Sequence, residues 1–173
     1  ATLFCVATYS SKQSMYYIFD NPSKSTELKR HFAFASQLVL SRKFSDPLSF
    51  EISPIYVHRN FVTVNDKNEA FALGAGGRLR ITKRMSFIAD YVYNFGEYRK
   101  VKNKNGIYNP LGLGLEFETG GHVFSLMFSN AAAINETQFV TNTVDTWTKG
   151  GVRFCFTIAR GFDLSKKKVA SKL

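Results

Sequence analysis

The sequence predicts an all-β fold, an antiparallel up-and-down transmembrane β-barrel with eight visible strands. Apolar and polar residues alternate in segments of about ten residues, the length and period of strands that cross an outer membrane. The connections between these segments are alternately long and short, as in barrels with tight periplasmic turns and long external loops. These patterns say more about the location of the protein than about its function.

Alternation and turn residues together place the strands along the chain. Alternation is clearest in the last five segments, and the same spacing places three more upstream. The predicted strands are 2–9, 31–43, 48–58, 69–81, 84–95, 108–118, 122–130 and 151–162. Short connections are predicted at 44–47, 82–84 and 120–121, and long ones at 10–30, 59–68, 96–107 and 131–150.

The upstream strands are assigned from their residue types. The first segment has no basic start, so it is predicted to be a strand and not a signal peptide. In the third strand, Phe50 and Ile52 share one face, and Glu51 and Ser53 share the other. Pro54 cannot donate to a β-ladder, and we expect a bulge at this position.

The two glycines at 120–121 fix the register of a later hairpin. They favour a two-residue turn, which pairs Thr119 with His122. The face containing Phe117 and Phe124 is then wholly apolar, and the glutamates fall on the other face. A shift by one residue would place glutamates in hydrocarbon, so only this register suits a membrane strand.

The polar faces of the strands are predicted to line the lumen. With a turn at 82–84, Gly76 lies opposite Asp90, and Arg78 lies diagonal to Asp90, within reach of an ion pair. Two interpretations stay open, a salt-bridged filling that holds a narrow barrel in register or a polar lining that selects solutes. The predicted lumen-lining residues are Glu51, Arg78, Arg80, Asp90, Glu116, Glu118 and Arg153.

Alternation alone does not say which face points outward, because soluble lipocalin-like barrels turn their apolar face inward. The residue types favour a membrane, since the charged groups share one face and the opposite face is rich in phenylalanine. Aromatic residues make up 15% of the chain, and 17 of them are Phe. No apolar run reaches the roughly 18 residues of a membrane helix, which excludes a helical membrane protein.

A net charge of +10 raises the possibility of a nucleic-acid partner. The basic residues are concentrated in 96–104 and 165–173, and no nucleic-acid-binding motif is present. We therefore expect no nucleic-acid binding. Basic loops that meet anionic lipid headgroups or lipopolysaccharide explain the charge better.

Neither a cofactor nor a metal site is predicted. Cys5 and Cys155 form no CxxC or zinc pattern, and the three histidines lie on separate strands. The cysteines are interpreted as small apolar filler, with a disulfide as the alternative if the first and last strands are neighbours. No catalytic residue is assigned, and no enzyme is expected, because arginines are predicted to flank the candidate acids Asp90 and Glu116.

Four residues are candidates for interfaces or partner contacts. His122 is predicted to face outward at the periplasmic rim, as an interfacial anchor. His58 and Arg59 stand at an external strand end, where they anchor a loop or bind a headgroup phosphate. Trp147 lies in the long connection 131–150, which either folds into the lumen or covers a partner surface.

Three sequence runs carry a resemblance to a known family. They are P-x-Y-x-H-R-N at 54–60, E-T-G-G-H-V-F at 118–124 and R-F-x-F-x-I-x-R-x-F at 153–162. Together with their surroundings they resemble an outer-membrane β-barrel family of Bacteroidota, a domain family of unknown function. The resemblance implies a bacterial outer-membrane location, a periplasmic C-terminus and further strands upstream, in a larger barrel of about twelve strands.

The sequence thus predicts two regions, an outer-membrane barrel at 1–164 and a basic periplasmic tail at 165–173. The leading functional hypothesis is a porin-like conduit for small solutes, with connection 131–150 as a gate. The alternative is a non-conducting structural barrel that docks periplasmic or outer-membrane protein partners. In either case the lipid bilayer and lipopolysaccharide are the expected surroundings.

Overall fold

The computed structural model describes residues 2–9, 32–60, 67–95 and 108–161. These residues form one antiparallel sheet, a short α-helix (α1, Glu136–Asn142) and a 3-10 helix at Trp147–Lys149. The strands are β1 Thr2–Tyr9, β2 Phe32–Lys43, β3 Leu48–Arg59, β4 Glu69–Arg80, β5 Met85–Phe95, β6 Leu111–Thr119, β7 His122–Ser129 and β8 Arg153–Arg160. The predicted tail 165–173 lies outside the described residues.

The strands follow each other in the sheet in their order along the chain, and each pairs antiparallel with the next. The sheet curls into a half-barrel, which confirms the predicted all-β, up-and-down architecture. Within the described residues, no pairing joins β1 to β8. The described part of the sheet therefore has two open edges, and every residue of β8 is exposed.

The strand bounds agree with the predicted ones to within three residues. The largest difference is at β6, which begins at Leu111 and not at 108. Pro110 lacks an amide hydrogen, and the amide of Tyr108 donates to the carbonyl oxygen of Thr143 at 2.7 Å instead of to a strand. The chain before Pro110 therefore belongs to a loop contact.

The two faces of the sheet have the predicted character. The convex face carries large apolar side chains that are open to the surroundings, such as Phe71 at 56% and Phe128 at 49% exposure. The concave face carries small, polar and charged side chains, together with a buried apolar cluster that includes Ile55, Val57 and Val92. A soluble lipocalin-like barrel would bury its large apolar side chains inside, so the observed partition is the one that suits lipid.

Both predicted hairpin registers are confirmed. Thr119 pairs with His122 across Gly120 and Gly121, whose φ angles of 50° and 93° suit a turn that only glycine adopts without strain. Gly76 pairs with Asp90, as the turn at 82–84 predicts. We refer to the end of the sheet with these tight turns as the short-turn end, and to the other as the long-connection end.

The bulge predicted at Pro54 is wrong. The pairs Gln37–Ile55 and Leu40–Ile52 flank the proline in the same register, so no extra residue enters the strand. Pro54 only interrupts the ladder with β2 locally, because it has no amide hydrogen to donate. Its ladder with β4 continues through the pair Pro54–Leu73, and the alternation of faces is unbroken.

The first tight turn is closed by an ion pair. Lys43 Nζ lies 2.8 Å from Asp46 Oδ1 in the connection between β2 and β3. The hydrogen bond and the positive charge of Lys43 hold the pKa of the Asp46 carboxyl below its usual value. Arg42 also places its guanidinium 5.4 Å from the ring centre of Phe44, which is exposed at this end.

Candidate functional site

A row of paired residues crosses the concave face from strand to strand. Register places Glu51 beside Gly76, Gly76 beside Asp90, and Asp90 beside Gly112. The same row continues through Ser129 to Arg153 on β8. The sequence-predicted residues Glu51, Asp90 and Arg153 therefore belong to one row, which runs from near the short-turn end at Glu51 to the long-connection end at Arg153.

The glycines of this row leave room for the acidic side chains. A Cβ atom on Gly76 would lie 2.8 Å from Glu51 Cγ, and one on Gly112 would overlap the carboxylate of Asp90. Each carboxylate thus lies flat over the glycine of the next strand. Any larger residue at these two positions would push an acid away from the wall.

Arg78 pairs with Glu116 and not with Asp90, so the predicted Arg78–Asp90 ion pair is wrong. Its Nε and Nη2 atoms each lie 2.6 Å from Glu116 Oε1. The long arginine side chain reaches across β5 to β6, which the register of adjacent strands alone does not indicate. Within the described residues Asp90 has no ion-pair partner, and its acidic neighbour is Glu51.

The other predicted lining residues lie nearer the short-turn end. Arg80 and Glu118 are exposed on the concave side of β4 and β6. Ser86, which pairs with Arg80 on one side and Glu116 on the other, is only 2% exposed. Apart from Arg153, the charged lining therefore lies in the short-turn half of the concave face.

A cavity of about 310 Å³ opens above this lining. Its walls include Ser41 and Ser49 on one side, and Asp90 and Met127 on the other. Glu51 and Arg78 also contribute to it, so both free acids of the row face the same space. Its walls combine these three charged residues with apolar ones such as Ile88 and Met127, and its size suits water and small solutes.

The opposite, long-connection half of the concave face is filled by the chain itself. The stretch between β7 and β8, residues 130–152, folds inward, and we refer to it as the constriction segment. Its helix α1 packs against β2, β3 and β5 across the inside of the sheet. Val140 is 1% exposed there, in a cluster of buried apolar residues with Ala35, Ile55, Val57, Ala70, Ala72 and Val92.

Hydrogen bonds hold the constriction segment at several points. Asn94 Nδ2 on β5 donates to the carbonyl oxygen of Val140 at 2.9 Å. Trp147 Nε1 donates to the carbonyl oxygen of Leu111 at 3.1 Å. The prediction left open whether connection 131–150 enters the lumen or covers a partner surface, and the structure places it inside.

The base of the constriction segment is closed by Asn130, Asp145 and Arg153. Arg153 Nη2 lies 2.6 Å from Asp145 Oδ2, and Asn130 Nδ2 donates to the carbonyl oxygen of Asp145 at 2.9 Å. Asn130 Oδ1 also accepts the amide of Leu111 at 2.8 Å. Arg153 is thus inward, as predicted, but its charge is engaged by the constriction segment.

His58 and Arg59 do not form one site. His58 lies on the convex face, with Nε2 2.9 Å from Asn60 Oδ1. Arg59 lies on the concave face, is 9% exposed, and donates from Nη2 to the carbonyl oxygen of Lys67 at 3.2 Å. The shared phosphate site considered in the sequence is therefore wrong, because adjacent strand residues point to opposite faces.

His122 lies where the sequence predicts it, beside the tight turn and on the convex face. It pairs with Thr119 and with Arg160, and its ring centre is 6.3 Å from that of Phe124. A half-buried imidazole next to an aromatic row suits a membrane–water interface.

The two cysteines are free and lie on opposite faces. Cys5 pairs with Ser36 on the convex face, and Cys155 pairs with Met127 on the concave face. A disulfide between them is incompatible with this arrangement. No cluster of three metal-ligating side chains occurs in the described residues.

Sequence reasoning missed the helix and the amides that hold it. Asn94 and Asn130 are 6% and 2% exposed, and the alternation, which puts Asn94 on the inward face, does not indicate that either residue holds a helix. The available signals were weak, namely Asn135 as a possible helix start and the spacing of Thr137, Val140 and Thr141 on one face. Such a short helix is specified by what it contacts more than by its own sequence.

Comparison with known proteins supports a membrane role. A family model described as a membrane-bound beta barrel domain (DUF5777), whose function is unknown, matches residues 2–162. Comparisons with curated proteins and with solved structures gave no match. No helix in the described ranges is long and apolar enough to span a membrane. The family match covers nearly the whole chain, and its description agrees with the curled sheet and its apolar convex face, so the protein belongs to this family of membrane-bound β-barrel domains.

Proposed function

We propose that the protein is an outer-membrane conduit for small polar solutes, narrowed by the constriction segment. The observation that carries the proposal is the division of the concave face into two halves. One half has a charged, accessible lining with a cavity, and the other is filled by residues 130–152. A barrel with a polar inner wall and an inward-folded connection has the parts of a selective pore.

The outer membrane is the proposed location because only closed barrels satisfy their backbone groups in lipid without helices. Tight turns at one end and long connections at the other correspond to its periplasmic and external sides. In this orientation, the charged half of the lumen opens to the periplasm. The constriction segment lies inside the lumen at its external end, where it meets solutes first.

The proposed barrel contains more strands than β1 to β8. A barrel of about eight strands has an interior that side chains fill, which leaves no room for a conduit. The two open edges of the observed sheet need partners in a membrane, because an unpaired strand edge in hydrocarbon is very unfavourable. Additional strands of the same protein, between β8 and β1, satisfy both requirements.

The proposed solutes are preferentially cationic. Glu51 and Asp90 face one cavity and have no ion-pair partner in the described residues, whereas Arg78 is engaged by Glu116 and Arg153 by Asp145. Rings of unneutralised acids favour cations in pores. No chemical step is part of this proposal.

Planar-bilayer recording with the full-length protein tests the conduit. We expect discrete conductance steps from the native protein and larger steps after residues 134–144 are replaced by a short glycine–serine link. A matched replacement in the turn 44–47 controls for loop engineering, and it should leave the conductance unchanged. If neither the native protein nor the shortened variant conducts, the conduit proposal is wrong.

One observation favours a docking barrel as a second candidate. Ile134 is 99% exposed and Val144 56% exposed on the constriction segment, so two apolar side chains have no cover within the described residues. A protein partner at the lumen mouth would cover them. Stoichiometric co-purification that is lost with Ile134→Asp, from a protein that does not conduct, would support this candidate.

A further inference from the structure

We infer that the ion pair between Asp145 and Arg153 is a latch that keeps the constriction segment in the lumen, and that the conduit opens when this pair breaks. The inference rests on the proposed function, because it names what regulates that same lumen. It assigns Arg153 and Asp145 a positioning role for the constriction segment.

The constriction segment does not hold its shape by itself. Helix α1 has seven residues, and the Asn135 side chain makes no capping hydrogen bond to it. Isolated helices of this length are not stable in water. Its inward position therefore depends on contacts with the strands around it.

The contacts between α1 and the wall are partly polar. The helix buries Thr137, Val140 and Thr141, of which Val140 belongs to the apolar cluster, and Phe139 packs against that cluster while partly buried. The wall residue Asn94 donates to the Val140 carbonyl, but its Oδ1 atom is buried without a hydrogen-bond partner. Because a buried unsatisfied acceptor is unfavourable, withdrawal of the helix would let water reach this atom.

The latch lies at the base of the constriction segment, where Arg153 contacts residues near both ends of the segment. Asp145 precedes the return to β8, and Arg153 is the first residue of that strand. Arg153 Nη1 also donates to the carbonyl oxygen of Asn130, 3.4 Å away, at the other end of the segment. One guanidinium thus ties the start and the end of the segment to β8.

The latch is accessible, which distinguishes it from a buried structural ion pair. The side chains of Arg153 and Asp145 are 47% and 32% exposed. Water and ions can reach such a pair, so its strength is modest and it breaks reversibly. Between the two residues of the latch, Gly150 ends the 3-10 helix with a φ of 72°, a conformation that glycine adopts without strain and that lets the chain turn towards β8.

Thiol labelling of the full-length protein in vesicles tests the latch without relying on current. In a background of Cys5→Ser and Cys155→Ser, Val140→Cys reports withdrawal of α1 through its reaction with a membrane-impermeant maleimide. We expect Asp145→Asn and Arg153→Gln each to raise the labelling rate about two- to fivefold, the range for a half-exposed ion pair. The charge-swapped double variant Asp145→Arg/Arg153→Asp should return the rate towards the native value.

The control is Arg80→Gln, which removes another exposed arginine of the same face and should leave labelling unchanged. Equal labelling of the single variants and the native protein would overturn the latch, as would a charge swap that labels as fast as the single variants. In bilayers, the single variants should raise the open probability, and the charge swap should restore it. A silent bilayer with latch-dependent labelling would reject the conduit while keeping the latch as a device that seats the segment.

Discussion

The electrostatics of the lumen depend on which carboxylate each arginine reaches. Arg78 extends across β5 to Glu116, and Arg153 turns to Asp145 in the constriction segment. The acids of the central row, Glu51 and Asp90, lie over glycines and form no ion pair within the described residues. The charge pattern facing a solute is therefore more acidic than the residue types on the concave face suggest.

Neutralising the acids of the row should reduce cation preference. A unit charge about 6 Å from a permeant ion in water changes its energy by about 0.7 kcal/mol, or about threefold in relative permeability. We expect Glu51→Gln and Asp90→Asn each to lower the ratio of potassium to chloride permeability by about that factor, measured from reversal potentials in a salt gradient. Asp46→Asn, in the tight turn and paired with Lys43, serves as the control and should not change the ratio.

Breaking the ion pair across β5 should destabilise the barrel. The side chains of Arg78 and Glu116 are 33% and 18% exposed, so removal of one leaves a half-buried charge without its partner. We expect Arg78→Gln and Glu116→Gln each to lower the free energy of unfolding by about 1–3 kcal/mol, measured by urea titration in lipid vesicles. Arg80→Gln, on the same strand and exposed, should cost less, and equal losses for all three variants would contradict a specific pair.

At the residue scale, the sequence predicts the face of a side chain better than its partner. The alternation correctly placed Arg78, Asp90 and Glu116 on the concave face. It assigned Arg78 to Asp90 because these residues are diagonal neighbours. A flexible side chain can also reach a strand further away. Which carboxylate an arginine pairs with therefore depends on the space that glycines and serines leave in the folded sheet.

At the scale of elements, tight turns are the best-predicted parts of the chain. The glycine pair at 120–121 gave the register of β6 and β7 directly, because few turn types connect two strands in two residues. The bulge expected at Pro54 does not form. A proline removes one donor from the ladder, but the neighbouring pairs on both sides hold the strand in register, so no bulge is needed.

A comparison of two glycines, one in the turn and one in β4, tests whether the backbone conformation of the turn requires glycine. Gly121 and Gly77 both have open space where a Cβ atom would lie, but only Gly121 has a positive φ, of 93°. We expect Gly121→Ala to lower the free energy of unfolding by about 1–2 kcal/mol, because an L-residue is strained there. Gly77→Ala should be neutral or slightly stabilising, and similar losses in both variants would show that φ is not the cause.

The constriction segment marks the limit of what the sequence predicts at this scale. Its position between two strands was predicted, but its helix was not, because seven residues contain too little periodicity. The contacts that order it come partly from Asn94 and Leu111, which are distant in the chain, and partly from Arg153 at the start of β8. The constriction segment therefore takes its structure from contacts with strands that are already assembled into the barrel.

At the scale of the whole molecule, the convex face should behave as a lipid-facing surface. Leu126 lies on that face in the middle of β7, and its neighbour Ser125 points into the lumen. We expect Leu126→Arg to destabilise the protein by about 2–4 kcal/mol in vesicles and Ser125→Arg to be tolerated. Urea titration and the heat-dependent gel shift measure both, and the opposite ranking would place the apolar face inside.

The open edges of the sheet lead to the final prediction, which concerns how the barrel closes. If β1 and β8 were neighbours in a closed barrel of eight strands, Cys5 would lie beside a convex-face residue of β8. Paired cysteines on adjacent strands come close enough to form a disulfide. In the larger barrel that we propose, other strands separate β1 from β8, so such pairs stay apart.

Cysteine cross-linking of the full-length protein in membranes distinguishes the two forms of closure. In a Cys155→Ser background, we expect Cys5 to form a disulfide with Ser36→Cys, because their side chains already lie 3.7 Å apart from Sγ to Oγ. We expect no disulfide between Cys5 and cysteines placed at Phe154, Phe156 or Ile158, the convex-face residues of β8. A cross-link at any of these three positions would show that β8 closes onto β1. A lumen of that width is filled by side chains, so the same result would also remove the space that the conduit needs.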